Sequence, residues 1–182
     1  MTSFYTPSEL AEIGFKRYGT NVLVSRKASI YGAENITIGD NVRIDDFCIL
    51  SGHVEIGSNI HISAYNALYG TLGIVLEDYT GISPRCSLFS AMDDFSGEFL
   101  IGPIHREELT NVIGGKITLK RFSQLGCNCV VFPEITIGEG AIVGAMRMVK
   151  NDMTPWSINY GIPAKKVGER NKGLLKKLHH NL

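Results

Sequence analysis

Large aliphatic side chains recur at every sixth position over most of this sequence. The series runs Ile38, Ile44, Leu50, Ile56, Ile62 and Leu68, resumes after a slip of two residues at Leu76, Ile82 and Leu88, and returns after a longer break at Leu119, Leu125, Val131, Ile137, Val143 and Val149. A helix would space these residues three and four apart, and an ordinary strand two apart, so neither explains a sustained period of six. The spacing fits a coil with three short flat sides, one inward aliphatic per side and about eighteen residues per turn. Successive turns would stack as parallel strands about 4.8 Å apart and share one continuous core.

The cysteines follow the same period. Cys48, Cys86 and Cys129 each lie four residues after a member of the series, which predicts a second inward position that favours small side chains. We therefore expect structural thiols there. Cys127 and Cys129 form a Cys-x-Cys pair, but no second pair completes a zinc site, and all four cysteines are predicted to be free thiols.

The remaining segments complete a single domain, residues 1–182. Thr6-Pro7-Ser8-Glu9 has the pattern of a capping box and predicts an N-terminal helix over 7–17. The coil is predicted over 22–90 and 117–154. Residues 91–116 break the repeat but keep many apolar side chains, which indicates an ordered loop projecting toward a neighbouring subunit. A tail over 155–182 is expected to leave the coil and to end in an amphipathic helix.

Bulk composition excludes several classes of protein. The chain has 182 residues, 44% hydrophobic content, and 18 basic side chains against 18 acidic ones, so its charge balance does not indicate a nucleic-acid partner. No apolar run is long enough to span a bilayer, and no signal peptide is evident, so we expect a cytoplasmic protein without membrane insertion. From Lys165 onward the chain is strongly basic, which suits a phosphorylated ligand or else a solvated tail.

Together with the terminal segment Gly161-Ile162-Pro163-Ala164-Lys165, the repeat resembles the hexapeptide-repeat acyltransferases over nearly the whole chain. The resemblance implies a left-handed prism, a homotrimer, and acetyl-CoA bound in the groove between two prisms. The coenzyme-lining positions that it implies are Gly144, Ala145, Arg147, Lys150, Gly161, Pro163, Ala164, Lys165 and Lys166. This sequence departs from the family at Met146 and Arg147, where Gly-Ser is common, so Arg147 either reaches a phosphate or tilts outward.

The sequence of the loop indicates which class of acceptor the enzyme uses. Sugar O-acetyltransferases of the family carry a motif like Phe-Ser-His-Asp-His, whereas here Ala91 and Asp93 occupy the two histidine positions. A hydroxyl nucleophile needs a strong base, but an amine needs less help near neutral pH. The stretch resembles the sugar-nucleotide N-acetyltransferases. It implies acetyl transfer to the amino group of a nucleotide-linked, dTDP-type 4-amino-4,6-dideoxy sugar for O-antigen or capsule assembly.

Under that resemblance, Asp93 first and Asp94 second orient the ammonium and accept its proton, and His105 is the alternative base. An amide near Gly126 or Cys127 stabilises the oxyanion. The alternative is a purely structural role for the two aspartates, in a turn where their carboxylates cap backbone amides. The candidate sugar-nucleotide contacts, each with ordinary packing as the alternative, are Arg43, His61, Tyr65, Tyr69, Arg85, Ser90 and Phe95.

Three alternatives stay open at this point. An O-acetyltransferase of the maltose or galactoside type is weakened by the missing histidines. A zinc enzyme of the γ-carbonic anhydrase type needs three gathered histidines, yet His53 and His61 are eight apart and fall on different sides of the coil. We therefore expect no metal. A non-catalytic β-helix does not account for the long loop or the terminal Gly-x-Pro-Ala-Lys segment.

Overall fold

The computed structural model describes residues 3–179 and shows a parallel β-solenoid of about seven turns, which confirms the predicted β-helix class. The first face consists of β2 (Val22–Val24), β5 (Val42–Ile44), β7 (Ile60–Ile62), β9 (Gly81–Ile82), β14 (Gln124–Leu125), β17 (Ile142–Val143) and β19 (Ser157–Tyr160). The second face consists of β3 (Ser29–Tyr31), the first half of β6 (Ile49–Ile56), the first half of β8 (Ala67–Leu76), β10 (Ser87–Phe89), β15 (Val130–Val131) and β18 (Met148–Val149). The third face consists of β1 (Arg17–Tyr18), β4 (Ile36–Ile38), the second halves of β6 and β8, β13 (Ile117–Leu119) and β16 (Thr136–Ile137).

The period of six is confirmed side chain by side chain, because every member of the aliphatic series is buried in one core. Register explains the slips in the sequence. Leu50 pairs with Leu68, eighteen residues on, whereas Ile56 pairs with Leu76, twenty residues on. Short insertions at corners therefore leave each inward column intact.

The three predicted structural thiols lie inside the prism. Cys48, Cys86 and Cys129 are completely buried, and each donates from Sγ to a backbone carbonyl oxygen at 3.0–3.3 Å. All four cysteines are free thiols, as predicted. Burial raises the pKa of Cys48 to about 11, so this side chain is a neutral packing group at neutral pH.

Two corners of the prism are built from residues in the left-handed backbone region. The first corner, between the first and second faces, has this conformation at Phe47, Tyr65, Arg85, Asn128 and Met146. The ladder corner, between the third and first faces, has it at Asn21, Asn41, Asn59, Tyr79, Phe122, Gly140 and Trp156. Asparagine tolerates this conformation well, and amide groups from Asn21 to Asn59 are hydrogen-bonded in series.

Both ends of the coil are closed. Helix α1 covers Pro7–Glu12 and begins with the predicted capping box between Thr6 and Glu9. It is shorter than the predicted 7–17, because the chain turns at Gly14 and already joins the third face at Arg17. The tail also departs from the prediction. β19 continues the first face, β20 (Lys165–Glu169) pairs with it in antiparallel fashion, and α2 covers Gly173–His179. The last three residues of the predicted tail lie outside the described range.

The loop leaves the prism at the loop corner, between the second and third faces. β11 (Ala91–Asp93) and β12 (Val112–Gly114) form an antiparallel ribbon, and a 3-10 helix covers Glu107–Leu109. The two ends of this excursion meet, because the Gly115 amide donates to the Ser90 carbonyl oxygen at 2.9 Å. The loop is thus an ordered side branch inserted between two stacked turns. Within residues 3–179, neither helix has the length and apolar character needed to cross a membrane.

Candidate active site

The two neighbouring aspartates of the loop have different surroundings. Asp93 Oδ1 accepts a hydrogen bond from the Gly102 amide at 3.3 Å, and within residues 3–179 no donor reaches Oδ2. Asp93 is half-buried, at the end of the ribbon strand β11. One of its carboxylate oxygens is therefore open to an incoming cationic or hydrogen-bonding group.

Asp94 uses both of its carboxylate oxygens inside the loop. Oδ1 accepts from the Ser96 amide at 2.8 Å, and Oδ2 accepts from Asn111 Nδ2 at 2.9 Å. The Ser96 amide first, and Asn111 second, lower the pKa of Asp94 below its usual value. This is the turn-capping arrangement that the sequence left open as an alternative, and it applies to Asp94.

A stack of aromatic and cationic side chains runs along the first corner. The rings of Phe47 and Tyr65 are 4.9 Å apart between centroids with 24° between their planes. The guanidinium of Arg85 lies 5.3 Å from the Tyr65 ring centroid, and the ammonium of Lys27 lies 5.3 Å from that of Phe47. Tyr65 is half exposed, at 51% of its surface. Planar rings flanked by positive charge suit a nucleobase and its phosphates. Phe47 was not among the predicted residues, although its spacing of eighteen from Tyr65 was visible.

Beside this stack, Asp45 holds together two predicted residues of the first face. Arg43 Nε donates to Asp45 Oδ1 at 2.7 Å, and His61 Nε2 contacts Asp45 Oδ2 at 2.7 Å. Partial burial pushes the pKa of Asp45 upward, but hydrogen bonds from Arg43 and His61 together hold it below the usual value. With Nε2–H bonded to the carboxylate, His61 Nδ1 is directed away from Asp45 and can accept a hydrogen bond from a ligand.

The hydrogen bonds of the coil correct one prediction, that of Gly126 as an oxyanion donor. Its amide donates to the Val143 carbonyl at 2.8 Å, and the Gly144 amide likewise donates to Asn159 at 2.9 Å. Gly126 instead serves close packing, because a Cβ there would lie 2.6 Å from the Ala145 nitrogen. Within the described range, no group accepts from the amides of Cys127 or Ala145, the next residues along the first corner.

The C-terminal end of the first corner gathers most of the predicted coenzyme residues. The guanidinium of Arg147 lies 5.2 Å from the Tyr160 ring centroid, and that ring fits against Gly144, where a Cβ would meet it at 2.3 Å. Gly161 and the cis peptide bond before Pro163 turn the chain toward Lys165 and Lys166, and Lys150 is exposed. Lys166 pairs with Glu169. Ala164 is buried and its amide donates to Met148, so it is a packing residue rather than a ligand contact.

Other predicted residues lie elsewhere in the protomer. Ser90 is fully buried; its Oγ donates to the Tyr69 carbonyl and accepts from the Leu72 amide, each at 2.9 Å, so its hydroxyl is engaged inside the fold. The Tyr69 ring stacks on Phe89 with centroids 5.1 Å apart on the second face. Phe95 and His105 are exposed on the loop. The candidate residues therefore fall into two groups, which we call the first-corner half-site and the loop half-site.

Among residues 3–179, no three His, Cys, Asp or Glu side chains are grouped so that they could hold a metal ion. His61 is engaged with Asp45, and His105 lies on the distant loop. The described residues therefore give no support to the zinc-enzyme alternative.

A three-sided parallel β-solenoid with an inserted loop defines the architecture of hexapeptide-repeat transferases, and the family model described as bacterial transferase hexapeptide (six repeats) matches residues 35–69. An Escherichia coli dTDP-4-amino-4,6-dideoxy-D-glucose acyltransferase is 42% identical over 171 residues, which cover 92% of this chain and 89% of that enzyme. The chain belongs to this family of hexapeptide-repeat acyltransferases, and it is an enzyme.

Solved structures agree with the sequence relative. A variant of AntD, an N-acyltransferase from Bacillus cereus, in complex with dTDP and coenzyme A superimposes with a TM-score of 0.97 at 47% identity, covering 100% of this chain and 98% of that chain. Another AntD variant with the same TM-score is in complex with dTDP-4-amino-4,6-dideoxyglucose and coenzyme A. AntD in complex with dTDP and 3-hydroxybutyryl-CoA superimposes with a TM-score of 0.96 at 48% identity.

Proposed function

We propose that this enzyme transfers an acetyl group from acetyl-CoA to the 4-amino group of dTDP-4-amino-4,6-dideoxyglucose, in the cytoplasm and as a homotrimer. The observation that carries the chemistry is Asp93, a carboxylate with one open oxygen on the loop where a hydroxyl-directed relative has histidine. The E. coli relative and the complexes of AntD support the choice of sugar and nucleotide.

The spacing of substituted residues in AntD favours Asp93 over Asp94 as the reacting carboxylate. The crystallised variants replace a serine or an aspartate, and these two positions are ten residues apart. In this chain Ser83 lies ten residues before Asp93, whereas Pro84 lies ten residues before Asp94. The pair Ser83 and Asp93 therefore matches that spacing in residue type. Sequence reasoning missed Ser83, because an isolated serine in a repeat has no signature of its own.

Ser83 and Asp93 lie at opposite edges of the second face within one protomer. Ser83 precedes the first corner, β10 crosses the face, and the chain leaves at the loop corner toward Asp93. A site that uses both side chains therefore needs the loop of one protomer against the first corner of another. Exposed apolar side chains on the loop support such a contact: Phe95, Leu100, Ile101, Ile104, Val112 and Ile113. This is the basis for proposing a homotrimer.

In the proposed reaction the neutral amine attacks the thioester carbonyl, a C–N bond forms, and the proton lost by nitrogen passes to Asp93. The tetrahedral oxyanion then collapses, the C–S bond breaks, and coenzyme A leaves as the thiolate, which takes up a proton. We assign the oxyanion donor to the amide of Cys127, because this first-corner amide has no acceptor within residues 3–179. The next free amide, that of Ala145, is placed to hold the pantetheine arm.

The phosphates of the coenzyme are assigned to the basic end of the first corner. Lys165 is exposed there, Lys150 lies one face away, and Arg147 stacks on Tyr160, which provides a flat surface beside the positive charges. At the other end of the corner, Tyr65 and Arg85 are assigned to the nucleotide of the sugar substrate, with Arg43 and His61 beside them.

The direct test is a thiol-release assay with purified enzyme and a matched set of substrates. We expect turnover with acetyl-CoA and dTDP-4-amino-4,6-dideoxyglucose, and none with the 4-hydroxy sugar nucleotide of the same configuration. A donor series from acetyl-CoA to 3-hydroxybutyryl-CoA tests the acyl group. Faster turnover of the hydroxy sugar would contradict the proposed amine acceptor, and faster turnover of the longer thioester would replace acetyl as the transferred group.

A further inference from the structure

We propose that Asp94 is a positioning residue: it latches the two arms of the loop together and thereby holds Asp93 toward the reacting amine. The inference rests on the proposed function, because Asp93 is the group that it positions. It assigns two neighbouring carboxylates to two different tasks, one in contact with substrate and one internal to the loop.

The latch is formed where the loop ribbon opens. β11 and β12 end with the pair Asp93 and Val112, and the next pair across the ribbon is Asp94 and Asn111. The Asp94 amide donates to the Asn111 carbonyl at 2.9 Å, and the Asn111 side-chain amide donates to Asp94 Oδ2 at 2.9 Å. A backbone bond and a side-chain bond therefore join the same two residues. Without these two hydrogen bonds, the paired part of the ribbon would end at Asp93 and Val112.

The second oxygen of Asp94 fixes the chain beyond the ribbon. Oδ1 accepts from the Ser96 amide at 2.8 Å and so fixes the turn over residues 94–96, from which the loop continues toward Gly102. From there the Gly102 amide reaches Asp93 Oδ1 at 3.3 Å. The contact to Asp93 is the longest of this set, and we infer that it depends on the turn that Asp94 fixes as well as on the hydrogen bond from Leu100 to Leu109. Loss of the latch therefore frees Asp93 as well as the loop.

Asp94 is poorly suited to receive the substrate proton itself. Both of its oxygens already accept from N–H donors, whereas Asp93 keeps Oδ2 open. Successive side chains of an extended strand point to opposite sides, so Asp93 and Asp94 face different surroundings. Among residues 3–179 neither carboxylate forms a salt bridge, so neutral N–H donors alone stabilise the charge of Asp94.

Variants that exchange the carboxylate of Asp94 and the amide of Asn111 test the latch. Asp94→Asn keeps both contacts if the Asn111 amide rotates, so kcat/KM should stay within about threefold of wild type. Asn111→Asp places two carboxylates face to face and should lower kcat/KM by about ten- to a hundredfold at neutral pH. The double variant restores one donor and one acceptor and should return to within about threefold of wild type. The defect of Asn111→Asp relative to wild type should also shrink as pH falls and the two carboxylates share a proton.

A second cycle separates positioning from independent catalysis. Asp94→Ala should lower kcat/KM by about tenfold in the wild-type background, but by less than about threefold in the Asp93→Asn background, since little remains to position. Hydrogen exchange at the Ser96 and Gly102 amides should accelerate in Asp94→Ala while the buried rungs around Leu125 stay protected. Multiplicative defects in the two backgrounds, or unchanged exchange in the loop, would overturn the proposal.

These experiments distinguish a failure of the proposed function from a failure of the latch. If Asp93→Asn retains full activity, Asp93 is not the reacting carboxylate, yet faster exchange of the loop in Asp94→Ala would still show the latch. If Asn111→Asp matches wild type in kcat/KM and in loop exchange, the latch itself is disproved. A failure of the double variant to recover has the same meaning, provided that its coil remains protected.

Discussion

At the scale of single residues, the chemistry depends on which hydrogen-bonding groups the coil leaves unused. Parallel stacking uses the amides of Gly126 and Gly144, and Ser96 and Asn111 within the loop use both oxygens of Asp94. Among the groups of residues 3–179 that keep no partner are Asp93 Oδ2 and the amides of Cys127 and Ala145. A sequence shows which groups exist, but it does not show which of them the fold has already satisfied.

The first prediction concerns Asp93. Asp93→Asn removes the proton acceptor while keeping the shape of the side chain. It should lower kcat/KM by roughly ten- to a hundredfold, because the rate gain from general-base catalysis lies toward the lower end of its usual range when the nucleophile is an amine. His61→Ala and His105→Ala should each cost less. Steady-state kinetics on the three variants, with folding and assembly checked, make the comparison. A total loss in His105→Ala beside a normal Asp93→Asn would assign the base to His105.

The second prediction concerns coenzyme affinity. Lys165→Ala should raise the KM for acetyl-CoA more than the KM for the sugar nucleotide and leave kcat nearly unchanged, because a phosphate contact contributes equally to ground and transition states. Lys166→Ala should have a smaller effect, since Lys166 is paired with Glu169. Lys16→Ala, at the other end of the coil, is the matched control. Equal coenzyme KM values for Lys165→Ala and this control would exclude Lys165 from the site.

At the scale of elements, inward side chains were predictable and corner contacts were not. The period of six identified the inward aliphatic residues, because burial imposes the same requirement at each turn. Ser90 shows the limit of that reasoning. It follows an inward leucine and looked like a loop residue facing the sugar, yet its hydroxyl joins β8 to the base of the loop. That role depends on the path of a turn eighteen residues earlier, which the local sequence does not encode.

The third prediction tests this element. Ser90→Ala removes two hydrogen bonds, one from the Leu72 amide and one to the Tyr69 carbonyl, and should lower the free energy of unfolding by about 1–3 kcal/mol. Ser87→Ala, on the same strand but facing outward, should change it by less than about 0.5 kcal/mol. Chemical denaturation monitored by circular dichroism measures both. Equal stability of the two variants would show that water replaces the missing hydroxyl at no cost.

At the scale of the whole molecule, the proposed homotrimer follows from the positions of the candidate residues, because the first-corner group and the loop group lie at opposite edges of the second face. Sedimentation should give a trimer, and a stable, active monomer would contradict the shared site. The number three comes from the family resemblance. The six-residue period alone describes one prism and contains no information about how many prisms pack together.

The fourth prediction is complementation between subunits. Ser83→Val impairs the first-corner half-site and Asp93→Asn impairs the loop half-site, so homotrimers of either variant should be slow. In randomly mixed trimers, about a quarter of the sites combine an intact corner with an intact loop. Co-expression of the two variants should therefore recover about a quarter of wild-type activity, whereas mixing the separately assembled trimers should recover none. Equal activity in both mixtures would place the complete site within a single protomer.

The hydrogen bond between Gly115 and Ser90 has a consequence for how such enzymes diversify. The two ends of the acceptor loop are already neighbours, so residues 91–114 form an excursion that enters and leaves the coil at nearly the same point. Lengthening, shortening or exchanging this excursion requires no change in the stacking of the rungs above and below it. The groups assigned to the coenzyme belong to the rungs and to the C-terminal tail, and the group assigned to the amine belongs to the excursion. The range of acceptor substrates can therefore change by replacement of this one segment, while the residues assigned to the acyl-CoA donor stay the same.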